Sequence, residues 1–418
     1  MTISANIKCD TCERVFTLKT QADESINIYD WPIELVCPAC NNPIHLLFNR
    51  HDGITPAKLK CDAEGEVTHV GYSATLPVID ESYYKIAPTS FSPFYSSFMN
   101  LYMILGQENL NKHKFEIDKL LEGIIPYRQL LKETLPLMQK ENNTKAFLTK
   151  VANFFNEEHY TIDETKESRT AYNEFVECVY NGLCTPEYIS QRCSYYNELL
   201  TFVNGADSSK LRNVITISEG FYNIDDWLLL QAYPHIAEMT AHLEKYLPAI
   251  FYSSIGSFAI PHYDKWNILT IDHEQAAKDY ADGFEILNKI LPFMVALHNM
   301  MRNNDCTHFK ENGLAEHHDA MAHFNGTFGA QRKNEIETYP TLKEYFEYVF
   351  ENKIRNGNGH RGIQYDVHTQ TISFHHNANN PEAIHKERLI DVCLRVYLQM
   401  MRIIEITLIL NEIKNKTR

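Results

Sequence analysis

The sequence predicts a mainly α chain: an N-terminal four-cysteine module with short strands, a helical middle region, and a C-terminal helical bundle that carries a small β hairpin. Three observations carry this. Two C-x2-C pairs lie within the first 40 residues. Apolar residues recur at three- and four-residue intervals from about 95 to 245 and again after 286, the period that places them on one helix face. Near the C-terminus, IQYDV and TISF flank a polar turn, as paired strands do. With 418 residues, 44% of them hydrophobic, the chain has material for more than one core. The expected division is 1–75, 76–275 and 276–418.

The first element is set by CDTC and CPAC. Cys9 and Cys12 form one pair, Cys37 and Cys40 the other, with 24 residues between Cys12 and Cys37. Four soft donors on two tight knuckles match the tetrahedral demand of Zn2+. VFTLKT and IELV between and beside them have strand composition, so the expected fold is a zinc ribbon. Four thiolates fill the coordination shell and leave no place for water, so the ion is expected to be structural. The competing reading is a set of ordinary buried thiols or a redox pair, but a redox C-x-x-C needs no twin. His45 is a neighbour of the second knuckle, and Cys61 has no C-x-x-C partner. A four-thiolate site also points to a reducing compartment. EVTHVGYSATLPVI continues as strand, and APTSFSP at 87–93 marks a boundary or turn.

The middle follows. SFMNLYMILGQENLNKHKFEIDKLLEGI and NTKAFLTKVANFFNEEHY have helical periodicity. Their many Tyr and Phe residues, typified by YISQRCSYYNELLTFV, are expected to fill a core, with buried hydroxyls partnered. Cys178, Cys184 and Cys193 show no ligand spacing and are expected to be buried small side chains. Neither a Walker sequence nor a Rossmann glycine fingerprint occurs, which disfavours NTP-driven and nicotinamide chemistry. AEHHDAMAH at 315–323 lacks the HExxH pattern, although His317, His318, Asp319 and His323 are close in sequence. FYSSIGSFAIPHYDKWNILTID breaks the helical pattern near 250–275.

The C-terminal part begins with ILNKILPFMVALHNMMRNN, residues 286–304, expected as helix with a kink or new start at Pro292. Pro340 opens a second expected helix over 341–354, with Thr341 as cap and Glu344 three residues on. It runs into RNGNGH, residues 355–360. The IQYDV–TISF hairpin follows, then a long helix expected over 381–413, with Pro381 in its first turn. Within it, VCLRVYLQMMRIIEITLIL is interrupted by Arg395, Arg402 and Glu405, so a buried helix is expected rather than a membrane span. No apolar run follows a basic start at the N-terminus. A soluble cytoplasmic protein without a membrane partner is therefore expected.

Formal net charge is -15, which argues against a surface coated in positive charge for unspecific nucleic-acid binding. Residues 351–418 nevertheless hold ten Lys and Arg against seven Asp and Glu, a local balance of +3. That is compatible with a phosphate-bearing substrate. Within RNGNGH, Arg355 offers a fork of donors to phosphoryl oxygens, Asn356 can hold a substrate or a neighbour, and His360 titrates near neutrality. Gly357 and Gly359 would let a polynucleotide backbone approach. These parts suffice for metal-independent attack of an RNA 2'-hydroxyl on its adjacent phosphorus. The competing reading is a helix C-terminal turn, with Gly357 as the stop and Arg355 near the negative end of the dipole.

Arg355, Asn356 and His360, followed by the QYDVHTQTISF hairpin and a long helix, resemble the HEPN domains, the higher eukaryotes and prokaryotes nucleotide-binding family, over about 285–413. The family signature is R-x4-6-H, often with a polar residue after the arginine. Glycines at 357 and 359 depart from the helix-forming residues common inside that motif. The resemblance implies a compact helical bundle, a homodimer that joins two copies of Arg355 and His360, and a metal-independent endoribonuclease with RNA as substrate. It also implies a role in antiviral defence, abortive infection or a toxin system. Under it, the ribbon and the helical middle would sense a protein or nucleic-acid trigger. The alternative is a non-catalytic scaffold that binds nucleic acid or protein.

Overall fold

The computed structural model describes residues 2–9, 11–21, 30–37, 39–40, 42–49, 58–61, 65–71, 78–79, 108, 120, 124, 127–128, 130–137, 144–157, 168–184, 188, 192–247, 249–250, 267–268, 271–306, 336, 339–359, 362–367, 369–377, 380 and 382–417. The chain divides into two compact units. One comprises Met1–Asp118, His242–Ala281 and Lys353–Tyr397; the other comprises Lys119–Ala241, Asp282–Asn352 and Leu398–Arg418.

The first unit holds the β structure. β1 (Thr2–Lys8) and β2 (Val15–Gln21) form an antiparallel hairpin, as do β3 (Asp30–Val36) and β4 (Pro43–Asn49). The expected VFTLKT and IELV strands are both present. β5 (Lys58–Cys61) adds to β4, and β6 (Gly65–Gly71) adds to β1, giving two three-stranded sheets. The expected 66–79 strand is thus two pieces, since β7 (Val78–Ile79) pairs elsewhere.

The second unit is helical. α1 (Thr144–Glu157), α2 (Ser168–Leu183), α3 (Ser194–Gly205), α4 (Ser208–Glu219), α5 (Ile224–Trp227) and α6 (Tyr233–Ala241) account for much of the expected helical middle. Asn223 caps α5 by accepting from the Asp226 amide. The aromatic side chains pack as expected: Phe147, Trp227 and Tyr233 are fully buried.

β8 (Asn267–Ile268) pairs with β7 inside the first unit; APTSFSP and 251–266 lie outside the described residues. α7 (His273–Asn303) starts 13 residues earlier than expected. Asp272 accepts from the Gln275 amide at its start, an N-cap that stops the helix amides from going unpaired. α7 also passes through Pro292 without a break. Leu287, Leu291 and Phe293–Leu297 are almost wholly buried around that proline, and such burial outweighs the roughly 3 kcal/mol that an interior proline costs.

The expected helix over 341–354 is two helices. α8 (Pro340–Tyr345) has Pro340 in its first turn and Tyr339, not Thr341, at the N-cap. Tyr348 then takes a left-handed φ of 63°. The reason is tertiary. Arg402 Nε donates to the Tyr345 carbonyl at 2.8 Å, and Gln399 Nε2 donates to the Val349 carbonyl at 3.0 Å. Side chains thus satisfy carbonyls that a continuous helix would have paired with its own amides. α9 (Asn352–Gly359) follows.

β9 (Ile363–Asp366) and β10 (Thr371–His375) form the expected hairpin. The structure adds an unexpected third strand, β11 (Ile384–Arg388), antiparallel to β10. The last helix, α10 (Leu389–Thr417), therefore begins at 389 rather than 381. β11 occupies the free edge of β10, where backbone groups would otherwise lack partners. Among the described residues no helix is long and apolar enough to cross a membrane.

Candidate functional site

Each C-x2-C pair sits in the turn of a hairpin. The Cys9 amide donates to the Arg14 carbonyl at 2.9 Å, and the Cys37 amide donates to the Asn42 carbonyl at 2.8 Å, so both knuckles close with the same ring. Glu13 has a φ of 57°, the left-handed residue that folds the first turn back. The four sulfurs of Cys9, Cys12, Cys37 and Cys40 lie within 4.8 Å of one another. Cys9 and Cys40 are 3.7 Å apart, and Cys12 and Cys37 are 3.6 Å apart. Tetrahedral Zn–S bonds of about 2.3 Å place sulfurs about 3.8 Å apart, so the donor set fits a metal ion such as zinc.

The electrostatics fit as well. Burial opposes ionisation of Cys9, but the amides of Cys12 and Thr11 and the thiols of Cys37 and Cys40 lower it to about 7. The Asn42 amide favours the Cys40 thiolate, yet burial and the three neighbouring sulfurs push it up to about 12. Four adjacent thiols cannot all ionise alone; a divalent cation removes that repulsion. Cys9 and Cys37 are buried, while Cys12 and Cys40 are partly exposed. Arg14 and Val15 beside the first knuckle are exposed.

Arg355 and Asn356 lie on α9, where Arg355 is exposed and its Nη1 donates to Asn356 Oδ1 at 3.1 Å. His360 lies outside the described residues. So do His317, His318, Asp319 and His323. Gly357 is not a helix stop, because α9 continues to Gly359. A Cβ on Gly357 would stand 2.6 Å from Phe374 Cβ, so this glycine answers to packing rather than to close approach of a substrate. The Gly362 amide donates back to the Gly357 carbonyl at 3.1 Å, and the His375 amide donates to the Gly362 carbonyl at 2.7 Å. The RNGNGH segment is thereby tied to β10, and His375 is the histidine this tie brings next to it. His385 Nε2 lies 3.0 Å from Glu387, which also accepts from Arg395 Nε at 2.5 Å.

A second polar centre, in the helical unit, was not anticipated. Arg402 and Glu405 are both almost fully buried and form an ion pair at 2.5 Å. Tyr180 and Tyr188 hydroxyls donate to one Glu405 oxygen at 3.2 and 2.9 Å, and the Tyr345 hydroxyl donates to the other at 2.7 Å. The Arg402 guanidinium lies 3.9 Å from the Tyr345 ring centre. A pocket of ≈ 250 Å³ opens beside it, lined by Arg192, Ser194, Tyr195, Glu198, Thr341, Glu344, Tyr345, Glu347 and Arg402. The sequence did carry one signal: Arg402 and Glu405 stand three residues apart inside a largely apolar run.

Comparison with family models, curated proteins and solved structures gives no match.

Proposed function

We propose that this chain is a metal-independent endoribonuclease of the HEPN type, acting as a homodimer in antiviral defence or a toxin system. The observation that supports it best is the presentation of Arg355. Its guanidinium is exposed beside Asn356, on a short helix whose Ile354 and Gly357 are buried and whose Gly357 carbonyl is linked through Gly362 to His375 of β10. A rigid support for an exposed arginine suits recognition of a phosphate diester. In the proposed reaction, His360 takes the proton from the RNA 2'-hydroxyl as that oxygen attacks phosphorus. Arg355 stabilises charge on the phosphoryl oxygens, and Asn356 orients Arg355. The partner's His360 protonates the departing 5'-oxygen. The products are a 2',3'-cyclic phosphate and a 5'-hydroxyl. Zn2+ on the four cysteines would hold the two hairpin knuckles together and take no part in the chemistry.

The test is incubation with mixed cellular RNA in EDTA, beside R355A and H360A proteins, with the RNA ends mapped. Cyclic-phosphate ends that vanish in both variants support the reading. Cleavage that persists in both folded variants rejects it. The second reading is a scaffold that binds nucleic acid or protein through the metal module. The exposed Arg14 and Val15 beside the knuckle favour it, and it predicts binding without cleavage.

A further inference from the structure

One buried side chain joins two walls of the ≈ 250 Å³ cavity in the helical unit. Arg402 of α10 is 2% exposed and forms part of the cavity lining. Its Nε donates to the Tyr345 carbonyl at 2.8 Å, at the end of α8. Both of its terminal nitrogens donate to the Arg192 carbonyl at 3.3 Å, just before α3. The guanidinium thus ties the start of α3 to the end of α8. Ser194 and Tyr195 line the cavity from the first segment, Glu344 and Glu347 from the second. A cavity braced in this way keeps its shape before any ligand arrives.

Three groups in this lining have donors to spare. Arg402 Nη2 carries two N–H groups, yet its one acceptor among the described residues is the Arg192 carbonyl, which Nη1 shares. The Arg192 guanidinium lies 5.4 Å from the Tyr348 ring centre and makes no hydrogen bond or ion pair among the described residues. The Ser194 hydroxyl is likewise unengaged among them. Cys193, at the N-cap of α3, adds no side-chain bond to the first turn, so the helix amides there add to the pull on an anion. Glu344 and Glu347 are exposed and also unpaired among the described residues. Glu198, by contrast, is taken by Arg302 at 2.7 and 2.9 Å, as Arg402 is by Glu405. The uncompensated charges of the lining are therefore one guanidinium and two carboxylates.

We infer that this cavity binds a small cationic amino acid. Its carboxylate is held by Arg192, the spare Arg402 donor and the Ser194 hydroxyl. Its α-ammonium and its basic side chain are held by Glu344 and Glu347. One negative and two positive charges are the complement of the lining. The two glutamates repel phosphates and nucleotides, which carry no cation to offset them. The cavity is also smaller than the about 300–1,000 Å³ of sites for drug-sized ligands. Tyr195 and Tyr345, both nearly buried with ring centres 5.1 Å apart, offer apolar surface to the ligand's methylene chain. This site is independent of the proposed RNA chemistry.

The test is calorimetric titration of the purified full chain with L-lysine and L-arginine, beside L-leucine, cadaverine and butyrate. Cadaverine keeps the amines of lysine without its carboxylate, and butyrate keeps a carboxylate without amines. L-lysine or L-arginine should bind one per chain, and the three comparators at least tenfold more weakly. R192M should weaken L-lysine at least tenfold and leave cadaverine unchanged. E344Q/E347Q should bring L-lysine down to the level of L-leucine. Urea midpoints equal to that of the wild type show that the variants fold. The comparator series is read on the wild-type chain, so it decides the matter even where a variant does not fold. Absence of binding by both L-lysine and L-arginine at about 10 mM, which would nearly saturate a site with a Kd of about 1 mM, overturns the proposal. So does binding of cadaverine, butyrate or L-leucine as tight as that of L-lysine, or undiminished L-lysine binding in R192M.

Discussion

Gly357 lies directly against Phe374: a Cβ placed on Gly357 would be 2.6 Å from Phe374 Cβ and 3.1 Å from its Cα. The near neighbour includes backbone, so it cannot swing aside. This contact seats α9 on β10 and fixes where Arg355 and Asn356 emerge.

G357A should therefore destabilise the protein by about 1–3 kcal/mol, the usual cost of overpacking. Urea unfolding measures it. In the G357A/F374A double variant the two losses should fail to add, because the residues share one contact. Additive losses would mean that the contact is not where the cost arises.

R355A should leave stability within about 0.5 kcal/mol of the wild type, since Arg355 is exposed. Loss of RNA cleavage in a protein with an unchanged melting curve is then a loss of chemistry. A large fall in melting temperature would instead give Arg355 a structural role.

R402M should cost about 3–5 kcal/mol, because it leaves the Glu405 carboxylate buried without its cation. R402M/E405L should cost less than R402M alone, since the double change removes the stranded charge. A double variant worse than the single would show that the tyrosine hydroxyls depend on Glu405 more than Glu405 depends on Arg402.

His235 is buried, and burial lowers it to about 4. Its Nε2 has no hydrogen-bond partner among the described residues. The unfolded chain takes up this proton near pH 6.5 and the folded chain only near 4. The stabilising contribution is therefore complete above 6.5 and is lost as pH falls toward 4. Between pH 7 and pH 5 the wild type should lose about 2 kcal/mol through this group. In H235L that part of the slope should disappear. Equal slopes would place the proton uptake elsewhere.

C37S should abolish binding of one zinc equivalent per chain, measured by elemental analysis after dialysis. Zinc retention should also weaken as pH falls, because protons compete for the thiolates. Full retention in C37S would exclude a four-cysteine centre.

The four-cysteine cluster was legible in the sequence because its information is local. Two residues between paired cysteines, in a hairpin turn, already bring sulfurs within reach of one ion. The β9–β10 hairpin was legible for the same reason: alternation and a polar turn lie within a dozen residues. Arg355 and Asn356 were legible as a pair, though only as neighbours in sequence.

Other features depended on groups far apart in the chain. The break after Tyr345 follows from Arg402 and Gln399 taking the carbonyls of residues 345 and 349. β11 forms because β10 offers an unpaired edge, which overrides the proline-led helix start at 381. Pro292 stays inside α7 because the side chains around it are buried. Gln370 shows the principle at one residue: its amide accepts from the Ile268 amide at 2.7 Å and donates to the Ile268 carbonyl at 2.8 Å, a partnership across 102 positions. By itself the sequence determined a mainly helical chain, its cysteine cluster and its C-terminal hairpin, because period and spacing are local properties. Only the tertiary structure decided where helices stop and which buried charges pair, because a buried polar group is stable only beside a partner and that partner can come from anywhere in the chain.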